Sequence, residues 1–323
     1  MTRDLPVPRR DSSELQRLPE ALVAKMEALA RASKAPATVR SYLTTWNRFQ
    51  RWCDQRGLVA MPASGTTVAA FASDLDDFAV STISKMVAGI SEIHRLSDEP
   101  SPSDTREVRL VMQGLRRTRG CAPRQKKPLR VRQLKRICAV LPDDLLGHRD
   151  RALLLLGFAA ALRRSELVAL EVADLEEMEE GLLVKIRRSK TDQVSAGAVV
   201  GVPFGSSLAT CPVRAVRRWL AEAEVTEGPL LRPLGQQQKV GVGPMSGRTA
   251  CRAVQRCVKR IGLDPTHFGS HSLRAGLVTE AASKGFGQLA ISRQTRHKSL
   301  SALAGYVRLG AVFEANVVAE LGL

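Results

Sequence analysis

Residues 116 to 136 carry ten lysines and arginines and no acidic residue, in the order Arg-Arg-Thr-Arg-Gly-Cys-Ala-Pro-Arg-Gln-Lys-Lys-Pro-Leu-Arg-Val-Arg-Gln-Leu-Lys-Arg. Like charges at this density cannot leave water for a core without partners, so no single hydrophobic core runs through the stretch. It therefore reads as a linker between two folded units, and a length of 323 residues suits two domains of ordinary size. Taken alone, such a run is equally a solvated tether or a strip that lies along a phosphate backbone.

The segment before the linker has the 3.6-residue period of helices. Residues 1–31 read as a flexible amino-terminal segment that opens with Pro6, Pro8, Arg9 and Arg10 and allows one helix through Leu15, Leu22, Val23 and Met26. From Thr38, the positions Val39, Tyr42, Leu43, Trp46, Phe49 and Cys53 form one helix face that ends at Gly57. Three more stripes predict three more helices: Val68, Phe71, Leu75 and Phe78; Ile83, Met86, Val87 and Ile90; Val108, Val111, Met112 and Leu115. Pro62-Ala-Ser-Gly65 and Pro100-Ser-Pro-Ser-Asp104 mark turns, with Ser103 or Asp104 placed to cap the last helix. The expected organisation is a helical domain over 32–119, a basic linker over 120–130 and a larger domain over 131–323. That larger domain is mostly helical. Its exception is a pair of β-rich segments, Gly181 to Arg187 and Ala198 to Phe204, which flank a polar stretch and predict a hairpin. The fold class is thus mainly α with a small β-hairpin or sheet.

Charge narrows the partner. With 49 Lys and Arg against 32 Asp and Glu, the net charge is +17, which points to a polyanion and first of all to nucleic acid. No apolar stretch approaches 18 residues and no leader pattern opens the chain, so the expected setting is the cytoplasm, without a membrane partner. The cysteines at 53, 121, 138, 211, 251 and 257 form no Cys-x-x-Cys pair, so inert thiols are expected and neither a metal nor another cofactor.

Several residues carry the means for phosphate chemistry. Arg163 follows the apolar run Ala152 to Leu162 and has Glu166 three positions on. A planar guanidinium can donate two parallel bonds to a phosphate, although an Arg/Glu pair on a helix is also an ordinary structural pair. Lys190 lies in the polar loop of the predicted hairpin, solvated there or able to protonate a leaving alcohol. His271 and Arg274 are three apart and share a helix face, where both can reach one phosphate. Tyr306, one of two tyrosines, follows His297 by nine positions. Nine residues of one straight helix turn about 900°, which puts the two side chains on opposite faces. They can share a site only across a break, and Ser299 is placed to cap a new helix from Leu300. A phenol attacks phosphorus only when its proton is removed and the charge on the phosphate is neutralised, work that two arginines, two histidines and a lysine can divide.

In these residues and their order the chain resembles the tyrosine recombinases, the phage integrase family, and most of all its Cre-type members, over about residues 30 to 323. Arg163 with Glu166, Lys190, the His271-x-x-Arg274 box, His297 and Tyr306 match the family's positions, and Pro102 to Met112 resembles a stretch of Cre-type core-binding domains. The resemblance implies a helical SAM-like core-binding domain and a catalytic domain that form a C-shaped clamp on double-stranded DNA. It implies a site with inverted repeats, a homo-tetramer built as two dimers, and cleavage through a 3′-phosphotyrosyl bond without metal or ATP. Linker contacts to DNA are expected from Arg116, Arg117, Arg119, Arg124, Lys126, Lys127 and Arg130. The tail 307–323, with Phe313, Val317 and Leu321 at helical spacing, is expected to dock on a neighbouring protomer or on its own domain. One position departs from the pattern: Arg296 stands where many members have glycine, and so adds a phosphate contact or shifts the loop. Integration, excision and dimer resolution stay open as roles. So do a non-catalytic DNA-binding protein on the same scaffold and an enzyme like a type IB topoisomerase.

Overall fold

A computed structural model of the chain describes residues 20–120, 126–187 and 197–296. The chain divides into two compact units, Met1–Arg124 and Gln125–Leu323, so the division falls inside the basic run.

The first unit is helical. It comprises α1 (Glu20–Ala32), α2 (Pro36–Asp54), α3 (Gly65–Ser73), α4 (Val80–Leu96) and α5 (Arg106–Arg119). The helix α1 lies where the sequence allows one through Leu22, Val23 and Met26, and it runs on to Ala32. Pro36 opens α2 at a position where its missing N–H costs nothing, and Ser64 caps α3 by accepting from the Thr67 N–H at 3.1 Å. The core joins Phe49 and Cys53 of α2 to Val68 and Phe71 of α3, Ile83, Val87 and Ile90 of α4, and Val108, Met112 and Leu115 of α5. At roughly 2 kcal/mol for each large side chain removed from water, these stripes are what hold the helices together. Two local expectations need correction. Leu75 and Phe78 lie beyond the end of α3, and α5 starts after Thr105, whose hydroxyl donates to the Pro102 carbonyl at 3.0 Å instead of capping the helix.

The second unit contains α6 (Val131–Val140), α7 (Leu145–Ala159), α8 (Arg164–Ala169), α9 (Pro212–Glu222), α10 (Gly247–Arg260), α11 (His271–Ala282) and α12 (Gln288–Thr295). Between α8 and α9 lies an antiparallel sheet in the order β1-β2-β3, from β1 (Leu175–Glu177), β2 (Gly181–Ile186) and β3 (Ala198–Pro203). The hairpin register runs from Gly181 opposite Pro203 to Ile186 opposite Ala198, and β1 is a third strand that the sequence reading lacks. One core gathers Leu153, Leu154 and Leu156 of α7, Val184 and Val202 of the sheet, Trp219 of α9 and Val254 of α10. Asp150 is buried in α7 and accepts from Arg149 Nη2 at 2.9 Å and from Arg256, which compensates for its removal from water. Burial, with Asp150 beside it, pushes the Cys257 thiol far up, and burial also raises Cys53 and Cys138. Cys211 differs: burial pushes its thiol up, but N–H groups of Arg214, Gly205 and Val213 outweigh that and hold it below its ordinary value. Its side chain is fully buried.

Candidate active site

The site begins where α7 stops. The helix ends in Ala160 and Ala161, the latter at φ +48°, and the Leu162 N–H turns back to the Gly157 carbonyl at 3.1 Å. That reversal puts Arg163, in an extended conformation, at the amino-terminal cap of α8. Its own N–H donates to Glu166 Oε2 at 2.9 Å and its Nη1 to Glu166 Oε1 at 2.7 Å. The Glu166 side chain is 0% exposed and that of Arg163 18%, so a buried carboxylate holds a guanidinium whose edge reaches solvent. A carboxylate so buried is stable only with such donors.

His271 and Arg274 come from the first turn of α11. Arg274 is buried, and its Nη1 donates to the Ala161 carbonyl at 2.7 Å, two residues before Arg163. His271 opens the helix at the surface. Partial burial, and then the positive charges of Arg274 and Arg163, hold its imidazole below the ordinary value. Both arginines thus lie near enough to His271 for their charges to act on its ring. The basic run is tied to the same helix, since the Leu129 N–H donates to the Ser272 carbonyl at 2.9 Å. Gly276 allows this approach, because a Cβ there would lie 2.0 Å from the Leu129 oxygen.

The sequence profile described as the phage integrase family matches residues 127–311, more than half of the chain. The chain is also 35% identical over 304 residues to an integrase/recombinase XerD homolog of Selenomonas ruminantium, covering 93% of this chain and 89% of that one. The chain belongs to the phage integrase family, the tyrosine recombinases. Against the recombinase Cre of Escherichia phage P1 the identity is 23% over 292 residues, covering 84% of this chain and 83% of that protein. The fold of this tyrosine recombinase is similar to that of XerH site-specific recombinase bound to a palindromic difH substrate, with a TM-score of 0.62 and 15% identity over 96% of this chain and 86% of that one.

Of the six catalytic candidates in this recombinase, Arg163, His271 and Arg274 are brought together, with Glu166 behind them. Lys190, His297 and Tyr306 lie outside the described residues, as do Arg124 and the tail 307–323. Beside β2, the Arg187 guanidinium is held by Asp174 Oδ1 at 2.6 Å and Glu171 Oε2 at 2.7 Å. No group of His, Cys, Asp and Glu suited to a metal ion occurs among the described residues, and no described helix is long and apolar enough to cross a membrane.

The position that departs from the family pattern has a defined geometry. Arg296 ends α12 in the left-handed region, at φ +56° and ψ +42°. This is where helices favour glycine. The Arg296 side chain, 13% exposed, points inward: Nη1 donates to the Ala160 carbonyl at 3.1 Å and Nη2 to Glu166 Oε2 at 2.9 Å. Two positions earlier, Gln294 Nε2 donates to the Ala159 carbonyl at 2.9 Å. Sequence reasoning had no signal for these bonds beyond the missing glycine.

The basic residues of the linker region differ in their surroundings. Arg119 is paired with Asp76 and donates to the Leu75 carbonyl at 3.1 Å. Arg130 pairs with Glu280 and donates to Ser283 Oγ at 3.0 Å, and Lys126 Nζ donates to the Thr266 carbonyl. Arg116, Arg117 and Lys127 are exposed.

Proposed function

We propose that this chain is a site-specific DNA recombinase that cuts and rejoins duplex DNA through Tyr306. The observation that carries the reading is the meeting of Arg163, His271 and Arg274 at the α7–α8 turn, with the buried Glu166 orienting the first of them. Two guanidiniums so placed suit the non-bridging oxygens of one phosphodiester, whose charge grows as phosphorus is attacked.

In the proposed reaction the Tyr306 oxygen attacks phosphorus, the bond from phosphorus to the 5′ oxygen breaks, and a 3′-phosphotyrosyl bond is left. The phenol proton goes to His271, whose depressed pKa keeps it neutral and able to accept near pH 7. Lys190 gives a proton to the departing 5′ oxygen, and His297 adds a hydrogen bond to the phosphate. The new bond keeps the energy of the broken diester, so attack by the 5′-hydroxyl of a partner duplex reverses the step without ATP. The arginines take the part that a metal ion plays in other phosphoryl transfers. We place the reaction in the cytoplasm, on a site with inverted repeats, comparable to the palindromic substrate to which the XerH neighbour is bound, and in a tetramer of two dimers; it serves integration, excision or dimer resolution.

A nicked suicide substrate that carries the cognate site tests the reading. The wild-type protein is expected to form a covalent adduct, and Tyr306→Phe to bind the same DNA without forming one. Binding without any wild-type adduct would leave a DNA-binding protein on this scaffold. Relaxation of plasmid lacking a specific site would make it an enzyme of the type IB topoisomerase kind.

A further inference from the structure

Three arginines from three elements meet around the α7–α8 turn. Oε1 of Glu166 accepts from Arg163 Nη1, while Oε2 accepts from the Arg163 N–H and from Arg296 Nη2. The Ala161 carbonyl accepts from Arg274 Nη1 at 2.7 Å and from Arg296 Nη2 at 3.4 Å. Arg296 therefore shares one acceptor with each of the arginines assigned to the phosphate. Its place in the chain is also particular, since it is the residue before His297, on the path to Tyr306.

The hydrogen bonds of Arg296 run to Glu166 and to the Ala160 and Ala161 carbonyls, so both its Nη groups are engaged within the protein. The backbone does not call for arginine. A non-glycine residue in the left-handed region carries a steric cost that glycine would avoid in the same turn. What arginine adds at this position is its guanidinium. With a donor on each oxygen, the Glu166 carboxylate has a fixed plane, and that plane sets the direction of the Arg163 guanidinium. The carbonyls of Ala160 and Ala161 hold the end of α12 to the same turn.

We propose that Arg296 is a positioning residue for strand cleavage, acting through Glu166 to orient Arg163 and to fix the point from which the chain leaves toward His297 and Tyr306. The inference rests on the reading of Tyr306 as nucleophile. It makes the turn at the end of α12 a buried ionic tie.

The test compares Arg296→Met, Arg296→Lys, Glu166→Gln and the Arg296→Met/Glu166→Gln double variant in single-turnover cleavage of the suicide substrate at saturating DNA. Arg296→Met is expected to slow cleavage about ten- to a hundredfold, the cost of a small misplacement of a reacting group. Its Kd for the site stays within about twofold of wild type, and its dependence of Kd on salt is unchanged. Arg296→Lys, which keeps the charge, cleaves faster than Arg296→Met. In the Glu166→Gln background, Arg296→Met costs less than about threefold, because the group it acts through is already altered. Thermal melts accompany each rate. If Arg296→Met does not fold, Arg296→Gly, which suits the backbone, takes its place in both backgrounds.

Cleavage by Arg296→Met at the wild-type rate overturns the proposal. So does an equal factor in both backgrounds, or weaker binding with a salt slope lower by about one, which would make Arg296 a phosphate contact. A wild-type protein that binds its site and forms no adduct removes the Tyr306 reading itself, and the proposal falls with it. A wild-type adduct beside an unaffected Arg296→Met overturns this inference alone.

Discussion

His271 shows how a single residue takes its chemistry from its neighbours. Partial burial lowers its affinity for a proton first, and the charges of Arg274 and Arg163 lower it further. Replacing Arg274 by glutamine removes one like charge and leaves burial in place, so the imidazole pKa is expected to rise toward 6.5. An NMR titration of the His271 ring in both proteins measures this, and equal values would mean that burial alone sets it. In the proposed reaction a neutral His271 accepts the phenol proton, so wild-type cleavage is expected to fall as pH drops through the depressed pKa. Arg163, Glu166, His271 and Arg274 were legible in the sequence because their spacing of three is a local property of helix starts. The role of Arg296 was not. A left-handed backbone and an inward guanidinium depend on Glu166 and the Ala160 carbonyl, 130 and 136 positions away in the chain.

Elements were legible wherever hydrophobic period and conformation agree. The stripe Val68, Phe71, Leu75 and Phe78 has the helical period, yet the helix ends at Ser73 and Leu75 is buried from a loop. Asp74 accounts for the difference: its carboxylate accepts from Trp52 Nε1 and Arg56 Nη2, both at 2.7 Å, and these anchor the exit from the helix. Strand β1 has no signal in the sequence because Leu175-Glu-Glu177 is short and exposes both glutamates, and only its pairing with β2 makes it a strand. Helix α4 carries a testable dependence on pH. His94 is fully buried, its Nδ1 bonded to the Ile90 carbonyl at 2.8 Å and its Nε2 accepting the Ala63 N–H at 2.9 Å. With one nitrogen donating and the other accepting, the ring must be neutral. Burial lowers its pKa below 6.5, so below that pH the unfolded chain binds a proton that the folded unit refuses, and stability is lost as pH falls. Trp46, whose ring lies 5.8 Å from that of His94, reports the unfolding of this unit. The urea midpoint is expected to drop between pH 7.5 and 5.5 in the wild type and much less in His94→Gln. His94→Leu should cost about 1–3 kcal/mol at neutral pH by leaving the Ala63 N–H unpaired.

For the molecule as a whole, the basic run was visible as a division because charge density is read directly from composition. Its internal structure was hidden, because the acids that engage it, Asp76 and Glu280, lie far away in sequence. Arg116 to Arg119 belong to α5 and Val131 to Arg136 to α6, so the run joins the end of one helix to the start of another. It follows that its cations should not contribute alike to DNA binding. Removing a cation that neutralises one phosphate lowers the slope of log Kd against log salt by about one. Arg117 and Lys127 are exposed, so Arg117→Gln and Lys127→Gln are each expected to weaken binding and reduce that slope by about one. Arg119 and Arg130 are engaged with Asp76 and Glu280 in their own units, so Arg119→Gln and Arg130→Gln are expected to lower the melting temperature and leave the slope nearly unchanged. Titrations of a labelled duplex over a series of salt concentrations separate the two classes. An equal fall in slope from all four substitutions would mean that DNA draws the paired arginines away from their carboxylates, and that the run acts on DNA as one uniform strip of charge.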